Sequence, residues 1–263
     1  MSHAMTDESK TSATLSGIKK RYIVLSGKGG VGKSTVAANL AVALAKKGFT
    51  TGLLDTDLHG PSIPKMLGLT EFVGMAKGDA LEPAVLMEGR LKVMSMQFML
   101  PGTDDAVIWR GPLKHSVISQ FIANTDWGTL DYLIIDSPPG TGDEPLSAIQ
   151  TAKPHGAIIV TTPQSVATFD VRKSIDFCRK LSLPITGIVE NMSGFVCPHC
   201  HKNTYIFGSQ GGETMAHELG ERFLGRIPIE PDIVTLSDNG KTFVAMAPES
   251  APSMAISEIT ALL

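Results

Sequence analysis

The sequence predicts an α/β protein built on a doubly wound, mostly parallel sheet with helices on both faces. Short apolar runs rich in Val, Ile and Leu, such as YIVLS at 22–26, TGLLD at 51–55, LDYLIID at 130–136, HGAIIVTT at 155–162 and PITGIVEN at 184–191, alternate with longer stretches of helical period. Strands alternating with helices belong in parallel sheets, whose ligands collect at the carboxyl ends of the strands. Several of these runs end there in glycine, an acid or an asparagine. At 263 residues the chain is long enough to bury one large core. We expect a single domain over residues 20–263 with a cysteine-bearing insertion near 195–205, preceded by a polar segment, 1–19, expected to be disordered.

Composition narrows the partners. The net charge is −3 and aromatics make up 6% of residues, so no global basic field and few base-stacking platforms are expected, and nucleic acid is not an expected partner. An apolar run of about 18 residues, which a membrane helix needs, does not occur, nor does an apolar signal core at the N-terminus. A cytoplasmic protein without a membrane partner is the expectation. Three cysteines in such a chain leave packing or metal binding as their uses, not a disulfide scaffold.

The first strand, YIVLS, runs into GKGGVGKST. Gly27, Gly32, Lys33 and Ser34 fit the spacing of a phosphate loop. In such a loop backbone N–H groups cradle phosphates, the lysine reaches their outer oxygens and the hydroxyl ligates Mg²⁺. Gly29, Gly30, Val31 and Thr35 complete the candidate cradle. Gly27, Gly29 and Gly32 also satisfy the dinucleotide pattern, with Asp55 near the place of a ribose-binding acid. A pyrophosphate site, however, has no use for the Lys-Ser that follows, which favours a nucleoside triphosphate. Lys28, taken alone, reads as a solvated loop lysine.

TVAANLAVALAKKG follows as a helix closing on Lys46, Lys47 and Gly48, a cationic last turn with a capping glycine. TTGLLDTD is a buried strand delivering Asp55 and Asp57, which on an extended backbone would face the same side. LHGPSIPKMLGL reads as a loop into a short helix. RLKVMSMQFML reads as a strand or buried run, and PGTDDAVIWRGPLKHSVISQFI as a loop entering a helix. LDYLIID ends in Asp136, placed to hold a Mg²⁺ hydration shell beside the phosphate loop. Asp143 suits the N-cap of a helix over EPLSAIQTA. HGAIIVTTPQ is a strand, and SVATFDVRKSIDFCRKLSLP is an amphipathic helix in which Cys178 reads as core packing. PITGIVENMSG is a strand ending in Glu190 and Asn191.

Cys197 and Cys200 form C-x-x-C with a proline inside, a knuckle that brings two thiolates onto one metal. The bare pattern admits redox, zinc and iron-sulfur chemistry, and its late place in a polar loop argues against the redox option. Two thiolates cannot close a tetrahedral site alone. His199 and His201 are the local candidates for completing a zinc site, but ligands this close together rarely angle correctly. A two-fold dimer would supply four cysteines, enough for a [4Fe-4S] cluster or zinc. The tail GGETMAHELGERFLGRIPIEPDIVTLSDNGKTFV supplies a helix, a last strand at RFLGRIPI and a loop, then a final packing helix.

Several of these stretches resemble known proteins. KGGVGKST is similar to the deviant Walker A loop of the superfamily that includes MinD, ParA, the arsenite-pump ATPase and the nitrogenase iron protein. DTDLHGPSIPKMLG, the WRGP word at Trp109–Pro112 and the C-P-x-C knuckle resemble the Mrp/ApbC branch of iron-sulfur cluster carrier ATPases. The likeness spans about residues 20–245. It implies ATP and Mg²⁺ as cofactors, slow hydrolysis, and a homodimer in which Lys28 reaches the facing subunit's nucleotide. It also implies a [4Fe-4S] cluster bridged by Cys197 and Cys200 of both subunits, handed to apo iron-sulfur proteins with cluster scaffold proteins as further partners. By the same resemblance Asp57 positions the attacking water, Asp55 supports the Mg²⁺ shell, and Asn191 reads the base. Pro228 and Glu230 are weaker candidates for packing on that base. The rival readings are a ParA/MinD-like positioning ATPase acting on DNA or membrane, and a nucleotide switch with a structural zinc across the dimer.

Overall fold

The computed structural model describes residues 7–57, 60–70, 76–77, 80–99, 111–197, 199–200 and 202–263. In chain order the elements are α1 (Asp7–Ser16), β1 (Ile18–Leu25), α2 (Lys33–Lys46), β2 (Thr51–Asp55), α3 (Ile63–Met66), β3 (Ala76–Lys77), β4 (Ala80–Leu81), β5 (Ala84–Leu86), β6 (Leu91–Ser95), α4 (Gly111–Asn124), β7 (Leu130–Asp136) and α5 (Asp143–Ala152). There follow β8 (Gly156–Thr161), α6 (Ser165–Lys180), β9 (Ile185–Val196), β10 (Asn203–Thr204), α7 (Gly211–Leu219), β11 (Phe223–Ile229), α8 (Pro231–Asp238), α9 (Phe243–Met246) and α10 (Ala251–Thr260).

Among the described residues, nine strands form one sheet in the order β10-β9-β8-β1-β7-β2-β6-β5, with β11 also paired to β9. Neighbours from β9 to β6 run parallel, as do β9 and β11, while β5 and β10 lie antiparallel. This is the doubly wound architecture the sequence predicts. β1 sits centrally between β7 and β8, so the loop leaving it opens where the strand order turns, the usual ligand position of such sheets. The strands nearest the centre are buried on both sides, which is why they read as unbroken apolar runs.

The helix after β1 is buried nearly all round because it is sandwiched. α2 packs on β2 and β7 beneath and on α9 and α10 above, and its alanines permit the close approach. It closes as predicted. Gly48 follows the cap at φ +96°, its N–H donating to Ala45 O and that of Phe49 to Leu44 O, so two terminal carbonyls are satisfied. A second group of helices is centred on α4, which packs against both α1 and α5.

Four local expectations are corrected. Residues 7–16 are helical and β1 begins at Ile18, where disorder was expected through 19. Thr11 and Leu15 are buried, and the Thr14 hydroxyl donates to Ala123 O of α4, so a tertiary contact orders a polar segment. Asp143 lies inside the first turn of α5, whose N-cap is Gly142. Asp55 and Asp57 do not share a strand face, because β2 stops at Asp55 and the Asp57 N–H turns back onto Asp55 Oδ1 at 3.1 Å. The stretch after β11 is helix α8, started by Pro231 in its first turn, rather than a loop. Of the WRGP word, Trp109 and Arg110 lie outside the described residues, and Gly111 opens α4.

Candidate nucleotide site and cysteine knuckle

Two glycines of the loop after β1 are dictated by what lies against them. A Cβ on Gly27 would come within 2.4 Å of the Asp170 main chain, so α6 closes onto the loop at that point. Gly32 sits at φ +79°, a left-handed conformation, and a Cβ there would lie 2.2 Å from Asn191 Nδ2. That amide donates to the Val31 carbonyl at 2.9 Å. Asn191, predicted to face a base, is thereby also a strut under the loop. Gly32 caps α2, so the helix N-terminus points into the loop, where anions are favoured. Lys28 is half-buried in the loop, and its carbonyl accepts from the Ser26 hydroxyl at 3.0 Å.

Lys33, only 6% exposed, is ion-paired to Asp136 Oδ1, and its Nζ stands 3.2 Å from Ser34 Oγ. β2 and β7 are adjacent, and their register sets Asp55 beside Asp136. Both acids are fully buried. Burial, followed by the charge of Asp136, pushes the Asp55 carboxyl up to about 8, although Asp57 N–H and Ser95 Oγ donate to it. Asp136 is also raised, by burial first, against the opposing pull of Lys33 and Ser34, and Asp57 adds to the rise. One lysine therefore faces two buried acids and the field of a third. Asp136 Oδ2 is buried without a hydrogen-bond partner. An orphaned carboxylate oxygen in a site short of positive charge fits a hard divalent cation held through oxygen ligands, with Ser34 alongside.

Beside the loop lies a cavity of about 290 Å³, walled by Gly32, Thr35, Asn191, Pro228, Ile233 and Phe243 among others. Its apolar walls with one amide at the rim suit a flat heteroaromatic base. Pro228 and Glu230, read from sequence as weak candidates, do line it. Ile233 and Phe243 were not anticipated. A signal for Ile233 existed in the Pro231-Asp232 pair, which marks the start of a helix.

The cysteines occupy the tip of a hairpin. β9 runs on past Asn191 to Val196, and β10 pairs back on it through Asn203–Val196 and Thr204–Phe195. Cys197 is half-buried and Cys200 exposed, and the Cys197 N–H donates to Lys202 O at 3.0 Å. Backbone N–H groups of Cys200 and then His199 point at the Cys197 sulfur and hold its thiol below the usual range, a knuckle preset for thiolate. Val196, Tyr205 and Ile206 beside it are each more than half exposed. Among the described residues, no group of three or more His, Cys, Asp or Glu side chains comes together as a metal site. Pro198 and His201 lie outside the described residues. Cys178 is fully buried and its thiol is pushed up to about 12 by burial, as its packing role predicts.

A glycine-walled loop entering a helix, its lysine set between buried acids at the central strand ends, defines a nucleotide-binding P-loop protein. Residues 17–263 match the ParA family model described as NUBPL iron-transfer P-loop NTPase, and the chain belongs to that family. It is 50% identical over 240 residues to the iron-sulfur cluster carrier protein of Methanocaldococcus jannaschii, covering 91% of this chain and 82% of that one. It is 49% identical over 242 residues to the cytosolic Fe-S cluster assembly factor NUBP2 homolog of Monosiga brevicollis, covering 91% and 85%. A solved nucleotide-binding protein of Archaeoglobus fulgidus in complex with ADP superposes with a TM-score of 0.80 at 43% identity, covering 91% of this chain and 93% of that one. Among the described residues no helix is long and apolar enough to cross a membrane.

Proposed function

We propose that this protein is a cytoplasmic ATPase that carries a [4Fe-4S] cluster on a homodimer and delivers it to apo iron-sulfur proteins, receiving it from a scaffold. The observation that carries the reading is an incomplete thiol pair, Cys197 and Cys200, displayed at the end of the strand whose Asn191 borders the nucleotide pocket. Two thiolates need two more, and a second copy of the chain supplies them.

In this reading ATP lies along the loop from Gly27 to Thr35, with its base between Asn191 and Pro228. Phosphates arriving at the α2 N-terminus draw Lys33 away from Asp136 toward their oxygens. Mg²⁺, when bound, neutralises charge on the phosphate oxygens. Ser34 and Asp136 would hold it, and Asp55 would support that shell from the neighbouring strand. Asp57, at the mouth of the site, orients the attacking water, and Lys28 stabilises the developing charge at the partner's phosphates. The family and the ADP-bound relative support the nucleotide, and the names of the relatives support the cargo.

Anaerobic reconstitution with iron and sulfide, followed by metal analysis and measurement of mass in solution, tests this. The expected result is a brown dimer with a broad visible absorbance that is lost in Cys197→Ala. A colourless protein holding zinc, or a monomer with nucleotide and iron both present, would overturn it.

A further inference from the structure

β9 serves both sites, and between them it is irregular. Its pairing with β11 passes from Asn191–Ile227 directly to Phe195–Ile229, so β9 spends four residues where β11 spends two. The extra length lies at Met192, Ser193 and Gly194, with Met192 at φ +58° and Gly194 at φ +84°. Left-handed backbone at a methionine persists only where the surroundings hold it. Glu190 supplies that hold. It is fully buried, its Oε1 accepts from the Ser193 hydroxyl at 2.6 Å, and its Oε2 accepts from the Gly212 N–H in the first turn of α7, also at 2.6 Å. Arg226 Nε of β11 stands 3.6 Å away. A buried carboxylate is costly unless satisfied. This one is satisfied across three elements at the junction between the two sites.

We propose that Glu190 is a positioning residue that couples the nucleotide pocket to the cysteine pair. By fixing the bulge, its carboxylate makes a movement of Asn191 reach Cys197 intact instead of being absorbed by irregular backbone. The inference rests on the reading that a nucleotide base enters beside Asn191. It requires no cluster, so its failure is separable from that of the carrier assignment.

The test is iodoacetamide labelling of the cluster-free full chain, with and without a non-hydrolysable ATP analogue and Mg²⁺. Cys197 and Cys200 are read by peptide mass spectrometry, buried Cys178 serves as the internal control, and nucleotide affinity is measured on the same samples. In the wild type, nucleotide changes the labelling rate of the pair by about threefold or more, the scale of a modest coupling. In Glu190→Gln that ratio falls to near one while nucleotide affinity stays within about twofold, and Glu190→Asp keeps more of the ratio than Gln does. Ser193→Ala removes only the hydroxyl across the bulge and carries the test should Glu190→Gln fail to fold; its ratio falls by about half. A wild-type ratio of one with nucleotide bound, or an undiminished ratio in folded Glu190→Gln or Ser193→Ala, overturns the proposal. Absence of nucleotide binding by the wild type overturns the parent reading and this one with it, and the affinity measurement alone reveals it.

Discussion

The phosphate-loop end of the sheet and the hairpin tip that carries the cysteines are built on opposite plans. At the loop the working groups are enclosed: Lys33, Asp55 and Asp136 are buried, paired or hydrogen-bonded to one another and to Ser34 and Ser95, and backed by the central strands. At the tip Cys200 is exposed, Cys197 half so, and the neighbouring Val196, Tyr205 and Ile206 face outward. The contrast teaches that one fold holds a cluster of charged groups sealed among its central strands and, further along the same sheet, a cysteine pair left open at a hairpin tip. The first is stiffened by burial; the second keeps its apolar surroundings open for something to cover.

If the enclosed site depends on its internal ion pair, Lys33→Ala should cause the largest loss. Nucleotide affinity, measured by calorimetry, should fall by about 100-fold or more, since a charge-assisted phosphate contact disappears. The same change strands buried acids, so chemical denaturation should show a stability loss of about 3–5 kcal/mol. The open site is probed by Cys197→Ala. Iron retained after anaerobic reconstitution should drop to about a tenth or less, while nucleotide affinity stays within about threefold, since the residues that wall the pocket are left in place. Loss of nucleotide binding in that variant would break the contrast.

A finer probe is Gly32→Ala, which drives a methyl into Asn191 and strains a left-handed residue. Its nucleotide affinity should fall by roughly tenfold, equivalent to about 1.4 kcal/mol. A last probe concerns pH. Because the Asp55 carboxyl is raised from 3.8 to about 8, the folded nucleotide-free protein holds a proton that the unfolded chain releases. Its contribution to stability therefore declines as pH rises across that window. Thermal unfolding between pH 5 and 9 should show a downward slope that Asp55→Asn flattens, at about 2–4 °C for each kcal/mol involved. An identical slope in the variant would place the effect elsewhere.

How much of this was legible in the sequence depended on distance along the chain. Gly27 to Ser34, Asp136 at the end of LDYLIID, and the C-P-H-C knuckle are local patterns, each written within a few residues. The apposition of Asp55 and Asp136 is not local, because only the strand order sets β2 beside β7, and with it comes the charge imbalance of the site. Asn191 was reached through a family resemblance, yet its contact with Val31 spans 160 positions and no pattern announces it. α1 was missed because its polar composition says disorder while its order comes from α4. The hairpin was missed because Ser193 and Gly194 read as a strand end, whereas a bulge carries β9 through them to Val196.

That continuity makes β9 a ruler. Past the bulge, Phe195 and Val196 are registered against Thr204 and Asn203, so adding or deleting one residue between Gly194 and Cys197 would slip that pairing and turn the groups beyond it to the opposite side. The spacing of this short interval is therefore more constrained than the identity of its letters, and a length change there should be more damaging than a substitution at Met192.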